Sequence, residues 1–277
     1  MAFGLPSDDK APTLGYGSYL RLERLLDLQH GQSDPAHHDE MLFIVIHQVY
    51  ELWFKQILHE LDAVVDLLAA GDPLEAHRLL RRCIEIEHLL IQQLTVLETM
   101  TPNDFLGFRD HLRPASGFQS AQFRAIEFRS GLKDAAHLPS FHGDGSERTA
   151  LERRLEEPTL LDAFWRLLAQ RGFEIDAAQD PPSDEERHRR IGALVTLYEN
   201  PRDHRDLYLL AEAMIEYDEM FGAWRQRHVM MAERMIGAKT GTGGSEGVGY
   251  LRTTTGRRFF PELWELRSHL GEFGADY

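Results

Sequence analysis

The sequence predicts an all-α protein built on long antiparallel helices, and three observations point there. Long stretches near residues 39–70, 73–99 and 203–236 carry apolar side chains at helical spacing. Strong helix stops punctuate them, at Gly71-Asp72-Pro73, Thr101-Pro102 and Gly237. No run shows sustained period-two alternation bounded by hairpin turns, and no repeat with a period of about 20–50 residues is visible.

Taken in order, residues 1–13 read as a loose arm. From Tyr16 to about Gln29, Leu20, Leu22, Leu25, Leu26 and Leu28 alternate with charges at helical spacing. The cluster His37-His38-Asp39-Glu40 then opens the first long helix, with Asp39 placed as its N-terminal cap and favoured there by the helix dipole. Shorter helices are expected at 103–112 and 117–130, and a Gly- and Pro-containing region follows at 137–146. Further helices fit 147–157, 159–171 and 184–199, and a last one follows Pro261, over about 260–270. Pro182-to-Asp184 reads as a surface turn, so residues 1–277 are expected to form one domain.

Composition narrows the function classes. Apolar residues make up 43% and charged residues 27% of the 277-residue chain, ordinary globular usage that permits a substantial core. A formal net charge of −15 argues against nucleic-acid partners, which require clustered Lys and Arg. With Cys83 as the one cysteine, an intrachain disulfide, a Cys-based zinc site and a covalently attached haem are all excluded. The N-terminus lacks a basic start followed by an apolar run, and no stretch approaches the ~18 uninterrupted apolar residues of a membrane span. A soluble, cytoplasmic protein is the expectation.

Two histidines stand out on their helices. At 100° per residue, Gln48, Glu51, Lys55, His59, Asp62 and Asp66 form one polar stripe. His47 lies outside its centre, nearest in angle to Phe43, Phe54, Leu58 and Leu61. His228 lies within about 60° of Leu210, Met214, Tyr217, Phe221, Trp224, Met231 and Met235, while Arg225 and Glu233 are turned further out. Taken singly, each histidine reads as a hydrogen-bonded core residue. Their joint occurrence, with the glycine-rich loop Gly237–Gly249 beside one of them, raises a second reading: a haem or metal pocket with backbone folded closely over a ligand.

Other constellations are weaker. The glycine loop follows a helix, Glu246 stands where a dinucleotide fingerprint needs its third glycine, and no P-loop pattern occurs. Glu85-x-x-His88 and Glu185-x-x-His188 have the spacing of a carboxylate-bridged di-iron bundle, but the second pair sits in a run of charges that reads as a solvated face. Arg109, in the aromatic segment Phe105–Ser120, is either a surface arginine or a planar, two-pronged partner for a carboxylate.

A set of blocks then brings in a resemblance. Tyr16-Gly-Ser-Tyr-Leu, His38-Asp-Glu-Met-Leu-Phe-Ile-Val-Ile-His47, Gly107-Phe-Arg-Asp, Ser116-Gly-Phe-Gln-Ser, Arg227-His228 and Gly241-Thr-Gly-Gly-Ser-x-Gly-Val-Gly-Tyr-Leu, in this order, resemble the tryptophan 2,3-dioxygenase family, bacterial type. The resemblance implies an all-α, haem-binding helical bundle that holds haem b, active as ferrous iron, and oxidises L-tryptophan with O2 to N-formyl-L-kynurenine, the first step of tryptophan breakdown. It also implies a homotetramer in which the N-terminal segment, matched here by Tyr16, Tyr19 and Leu20, completes a neighbour's site. On the same basis His228 is expected as the proximal iron ligand and His47 as the acceptor for the indole N–H. Arg109 would clamp the substrate carboxylate, Thr242 would hold the ammonium group, Phe43 would pack on the indole, and Ser116 and Gly117 would line the haem pocket. Phe105 stands where the bacterial pattern has a tyrosine that reaches the carboxylate; losing that hydroxyl should weaken substrate binding by about 0.5–1.5 kcal/mol. A haem-binding sensor or carrier without dioxygenase activity is the rival reading, and it has no need of Arg109 and Thr242.

Overall fold

The computed structural model describes residues 14–141, 145–243 and 247–271, and among these every regular element is helical. In chain order the α-helices are α1 (Tyr16–Leu20), α2 (Leu22–Leu25), α3 (Glu40–Ala69), α4 (Pro73–Leu97), α5 (Pro102–Arg109), α6 (Ala121–Ser130), α7 (Ser146–Glu156), α8 (Leu160–Gln170), α9 (Asp184–Glu199), α10 (Arg205–Ile236), α11 (Val248–Thr254) and α12 (Pro261–Glu265). The expected arm at 1–13 lies outside the described residues.

Side-chain chemistry sets most boundaries. Asp72 accepts from the Glu75 amide and Pro73 occupies the first turn of α4, where its missing N–H costs nothing. Reciprocal caps open α5 (Thr101 with Asp104) and α8 (Thr159 with Asp162), and Ser120 and Ser183 cap α6 and α9. At α3 the expectation is corrected. Asp39 holds the N-cap position without a side-chain capping bond. The buried Glu40 carboxylate instead turns back and accepts from the amides of Gln32 and Ser33 and from the Ser33 hydroxyl, pinning the preceding loop to the helix.

α4 packs on both α3 and α10, and α8 closes over α3. Ile57, Leu61 and Leu68 of α3, Leu80 and Ile84 of α4, Phe164 and Leu168 of α8, and Leu210 and Met214 of α10 are fully buried in one apolar cluster. Burying a side chain of this size stabilises the fold by about 1.5–3 kcal/mol. The shared partner α4 brings α3 and α10, each with its histidine, to the same end of the bundle.

The segment 16–29, with its apolar residues at helical spacing, is helical only over Tyr16–Leu20 and Leu22–Leu25. Arg21 takes a left-handed backbone (φ 54°) and splits it into α1 and α2, neither of which buries a residue. Leu22 and Leu25 are only half-buried and Leu20, Leu26 and Leu28 are exposed, so the leucines supply a helical pattern without the burial that would hold one long helix together.

Candidate active site

One cleft, with about 270 Å³ of space open to water, is walled by α3, α5, α6, α10, α11, the turn at 116–120 and Gly241, Thr242 and Gly247 of the glycine-rich segment. His47, Phe105, Arg109, Ser116, Gly117, Thr242 and His228 all line it. These residues span most of the sequence, from α3 to the loop after α10.

His47 is exposed to this cleft, yet enough protein surrounds it that burial holds its pKa below the ordinary 6.5, against the opposing pull of the Phe43 carbonyl and Glu51. The Phe43 carbonyl lies 2.7 Å from His47 Nδ1. A carbonyl can only accept, so Nδ1 carries the proton and Nε2 of the neutral ring is left as an acceptor. Phe43 itself stands beside the cleft rather than in its lining, its ring 4.1 Å from His47 and 5.7 Å from Phe105.

His228 faces the same cleft from α10. Burial, and then repulsion from His47, push its pKa down to about 4, so the ring is neutral at physiological pH. Among the described residues it makes no hydrogen bond; its contact is Trp224, whose indole lies parallel to it (4° between planes) at 5.1 Å.

Arg109 is buried at the C-terminal end of α5 and donates to the Thr240 carbonyl, at the mouth of the glycine-rich loop. The Thr242 hydroxyl donates to the Ala115 carbonyl at 2.6 Å, which leaves its oxygen free to accept. Glycine is required where this loop meets the 114–120 turn. A Cβ on Gly243 would stand 2.7 Å from Ser116 Cβ, and Gly247, at φ 63°, would press one to 2.5 Å from the Lys239 carbonyl. The loop thus folds tightly onto the cleft wall as expected, although Gly244, Ser245 and Glu246 lie outside the described residues.

Tyr16, Tyr19 and Leu20 are not brought to this cleft. They project from α1 with 78%, 69% and 40% of their surface exposed.

Sequence reading missed part of the wall. Arg225, placed by the helical wheel towards the outside, is only 3% exposed and meets the Glu127 carboxylate at 3.0 Å. Arg124, equally buried, pairs with the other oxygen of Glu127. All three line the cleft, and both guanidinium Nε–H groups are buried with no hydrogen-bond partner among the described residues. The wheel angle was correct, but α6 covers that side of α10 where solvent was assumed. Tyr250 of α11 also faces the cleft, from a helix that the surrounding glycines concealed. The di-iron alternative fares differently. Glu85 and Glu185 lie on the surface, tied to Arg81 and Arg189, and no group of three His, Cys, Asp or Glu suited to a metal occurs among the described residues.

The model of the tryptophan 2,3-dioxygenase family matches residues 6–177 and 185–270, nearly the whole chain. The chain belongs to this family. Relatives agree with that assignment across more than nine-tenths of their lengths. A tryptophan 2,3-dioxygenase of Nocardioides sp. is 49% identical over 267 residues, covering 95% of this chain and 97% of that one. One from Herpetosiphon aurantiacus is 47% identical over 261 residues, 93% and 98% of the two chains. One from Myxococcus xanthus is 42% identical over 278 residues, 95% and 91%. Members of the tryptophan 2,3-dioxygenase family are enzymes, and the helical architecture described above agrees with that membership.

Proposed function

We propose that the chain is a haem-dependent dioxygenase that inserts both atoms of O2 across the indole C2–C3 bond of L-tryptophan, giving N-formyl-L-kynurenine in the first step of tryptophan breakdown. The observation that carries this reading is the convergence of His228, His47, Arg109 and Thr242 on one cleft. A sensor or carrier would need the first of these and not the last two.

The residues fit haem b. His228 offers a neutral imidazole nitrogen that no hydrogen bond from the described residues occupies, from an aromatic wall. Arg124 and Arg225 share a single carboxylate, so the set carries one uncompensated positive charge, with Nε–H groups unpartnered. Buried cations of this kind require an anion, and the carboxylates of a porphyrin are of the right chemistry. In this reading His228 is the iron ligand, Arg124 and Arg225 face the porphyrin carboxylates, and Ser116 and Gly117 pack against the ring. Bound haem supplies the redox chemistry that activates O2.

The remaining residues bind and orient. Arg109 takes the substrate carboxylate in a charge-assisted, two-pronged bond, and the free lone pairs of Thr242 accept from the ammonium group. His47 Nε2 accepts the indole N–H; because Nδ1 already holds its proton against Phe43, the ring stays in the accepting tautomer. The indole N–H is a very weak acid, so His47 orients the ring and does not remove its proton. Phe105 forms the aromatic wall, and Phe43 acts from behind His47 by fixing that ring. Holding both reactants in one pose supplies a large share of the rate.

Assembly belongs to the same proposal. The bare apolar face of α1 suits a neighbouring subunit's site, as in a homotetramer whose N-terminal segments complete each other's clefts. No described helix is long and apolar enough to cross a membrane, and a cytoplasmic location goes with the reading.

The test is direct. Reduced, haem-loaded protein mixed with L-tryptophan and 18O-labelled O2 should yield N-formyl-L-kynurenine carrying two labelled oxygens. Haem-loaded protein that leaves tryptophan unchanged would remove the enzymatic reading.

A further inference from the structure

We infer that Trp224 is the positioning residue for His228: its indole, stacked parallel on the imidazole, fixes the plane of that ring in place of the hydrogen bond on which a ligating histidine ordinarily relies. The inference rests on the reading of His228 as the iron ligand. A metal-bound histidine usually donates its second ring N–H to a carboxylate, carbonyl or water, and that partner sets the ring's rotation. His228 has no such partner among the described residues, and two carboxylates of its own helix, one buried and one on the surface, are committed elsewhere. Asp218 accepts from the Phe259 and Phe260 amides and from Trp264, and Glu233 pairs with Arg252 on the surface. What His228 has is Trp224, four residues earlier on α10 and therefore on the same face, one turn away. The two ring planes differ by 4° at a centroid separation of 5.1 Å, an offset-stacked geometry.

The indole is itself held. Its Nε1 points to the Tyr50 hydroxyl at 3.5 Å, and that hydroxyl donates to the Leu90 carbonyl at 2.6 Å. Tyr50 is buried on α3, and Phe123 of α6 presses on Trp224 with ring centroids 5.3 Å apart. A continuous path therefore runs from the backbone of α4 through Tyr50 and Trp224 to the imidazole. Three helices set the angle of the ring, so the ligand plane is fixed by packing rather than by a charged neighbour.

The test compares haem-loaded wild-type protein with Trp224→Leu, Trp224→Phe and Tyr50→Phe. Two quantities are read: the rate at which haem is lost to a scavenger, and the iron–imidazole stretching band of the reduced protein by resonance Raman. Trp224→Leu should lose haem about 10- to 100-fold faster, the usual range for losing an outer partner of a metal ligand. Its iron–imidazole band should shift and broaden while helical content is kept. Trp224→Phe, which keeps a stackable ring, should stay near wild type, and Tyr50→Phe should shift the band in the same direction as Trp224→Leu by a smaller amount. A wild-type band and haem-loss rate in Trp224→Leu would overturn the inference. Should that variant fail to fold, an unshifted band in Tyr50→Phe overturns it instead. Failure of the underlying reading looks different: haem loss and the iron–ligand band in His228→Ala would then match wild type, whatever Trp224 does.

Discussion

In the proposed reading, the two sides of the cleft use the same residue type for opposite purposes. On the α3 side, His47 has one nitrogen committed to a backbone carbonyl at 2.7 Å, so its ring has a defined donor and a defined acceptor. On the α10 side, His228 has no hydrogen bond among the described residues and lies flat against an indole, so its nitrogens are left for a ligand. Burial keeps both rings neutral, more strongly at His228, whose pKa falls to about 4. On the proposed assignment, what distinguishes an orienting histidine from a ligating one is the partner already bonded to it, and the residue type alone does not assign the role.

The largest expected effect breaks the ligating side. His228→Ala should abolish the ligated-haem spectrum and, with it, turnover; an unaltered spectrum would mean that another residue holds the iron. Next comes the carboxylate clamp on the orienting side. Arg109→Ala removes a charge-assisted bond worth about 1.5–3 kcal/mol and should raise KM roughly 10- to 100-fold with a smaller change in kcat. Steady-state kinetics with L-tryptophan read it directly, and unchanged saturation would take Arg109 out of the clamp.

His47→Ala sharpens the comparison by a different route. An orienting acceptor is worth about 0.5–1.5 kcal/mol, so kcat/KM should fall roughly 2- to 10-fold, and complete loss in a folded, haem-replete variant would make His47 a base. The pH profile carries the same information. The His47 pKa lies below 6.5, so the ring remains a neutral acceptor through neutral pH. Activity should fall only as pH drops through that depressed value, where Nε2 becomes protonated and can no longer accept. In His47→Ala this acid limb should vanish. The smallest effect at the site is a gain: Phe105→Tyr should restore a neutral hydrogen bond and lower KM by roughly 2- to 10-fold.

Away from the cleft, Glu87 tests whether buried acids in this bundle are structural. Both its oxygens are buried without partners among the described residues, and burial raises its pKa well above 4.5. The folded protein therefore retains a proton that the unfolded chain releases above pH 4.5, so this carboxyl costs increasing stability as pH rises. Glu87→Gln, which cannot ionise, should raise the melting temperature at pH 8 relative to wild type, and the gain should shrink towards pH 4.

Periodicity and caps made much of the scaffold legible. Asp72-Pro73, Thr101-Pro102 and Ser183 mark helix starts by chemistry that acts within four residues, and α3, α4 and α9 begin and end within two residues of expectation. The apolar repeat of 16–29 misled because a helical pattern needs a surface to bury against, and among the described residues none of α1 or α2 is fully buried. Arg225 misled for the opposite reason: a charge turned off the apolar face met Glu127 on a helix that no local pattern could place. At the cleft, the histidines, Arg109 and Thr242 were legible through family blocks. The Phe43 carbonyl that fixes the His47 tautomer and the indole that flanks His228 are matters of side-chain orientation, and spacing does not carry them.

The most direct measurement is a titration of the reduced, haem-loaded protein with L-tryptophan, followed through the haem absorption bands. The account predicts a saturable band shift in wild type, displaced to much higher tryptophan concentration in Arg109→Ala. Haem bands that ignore tryptophan in the wild-type protein would contradict it.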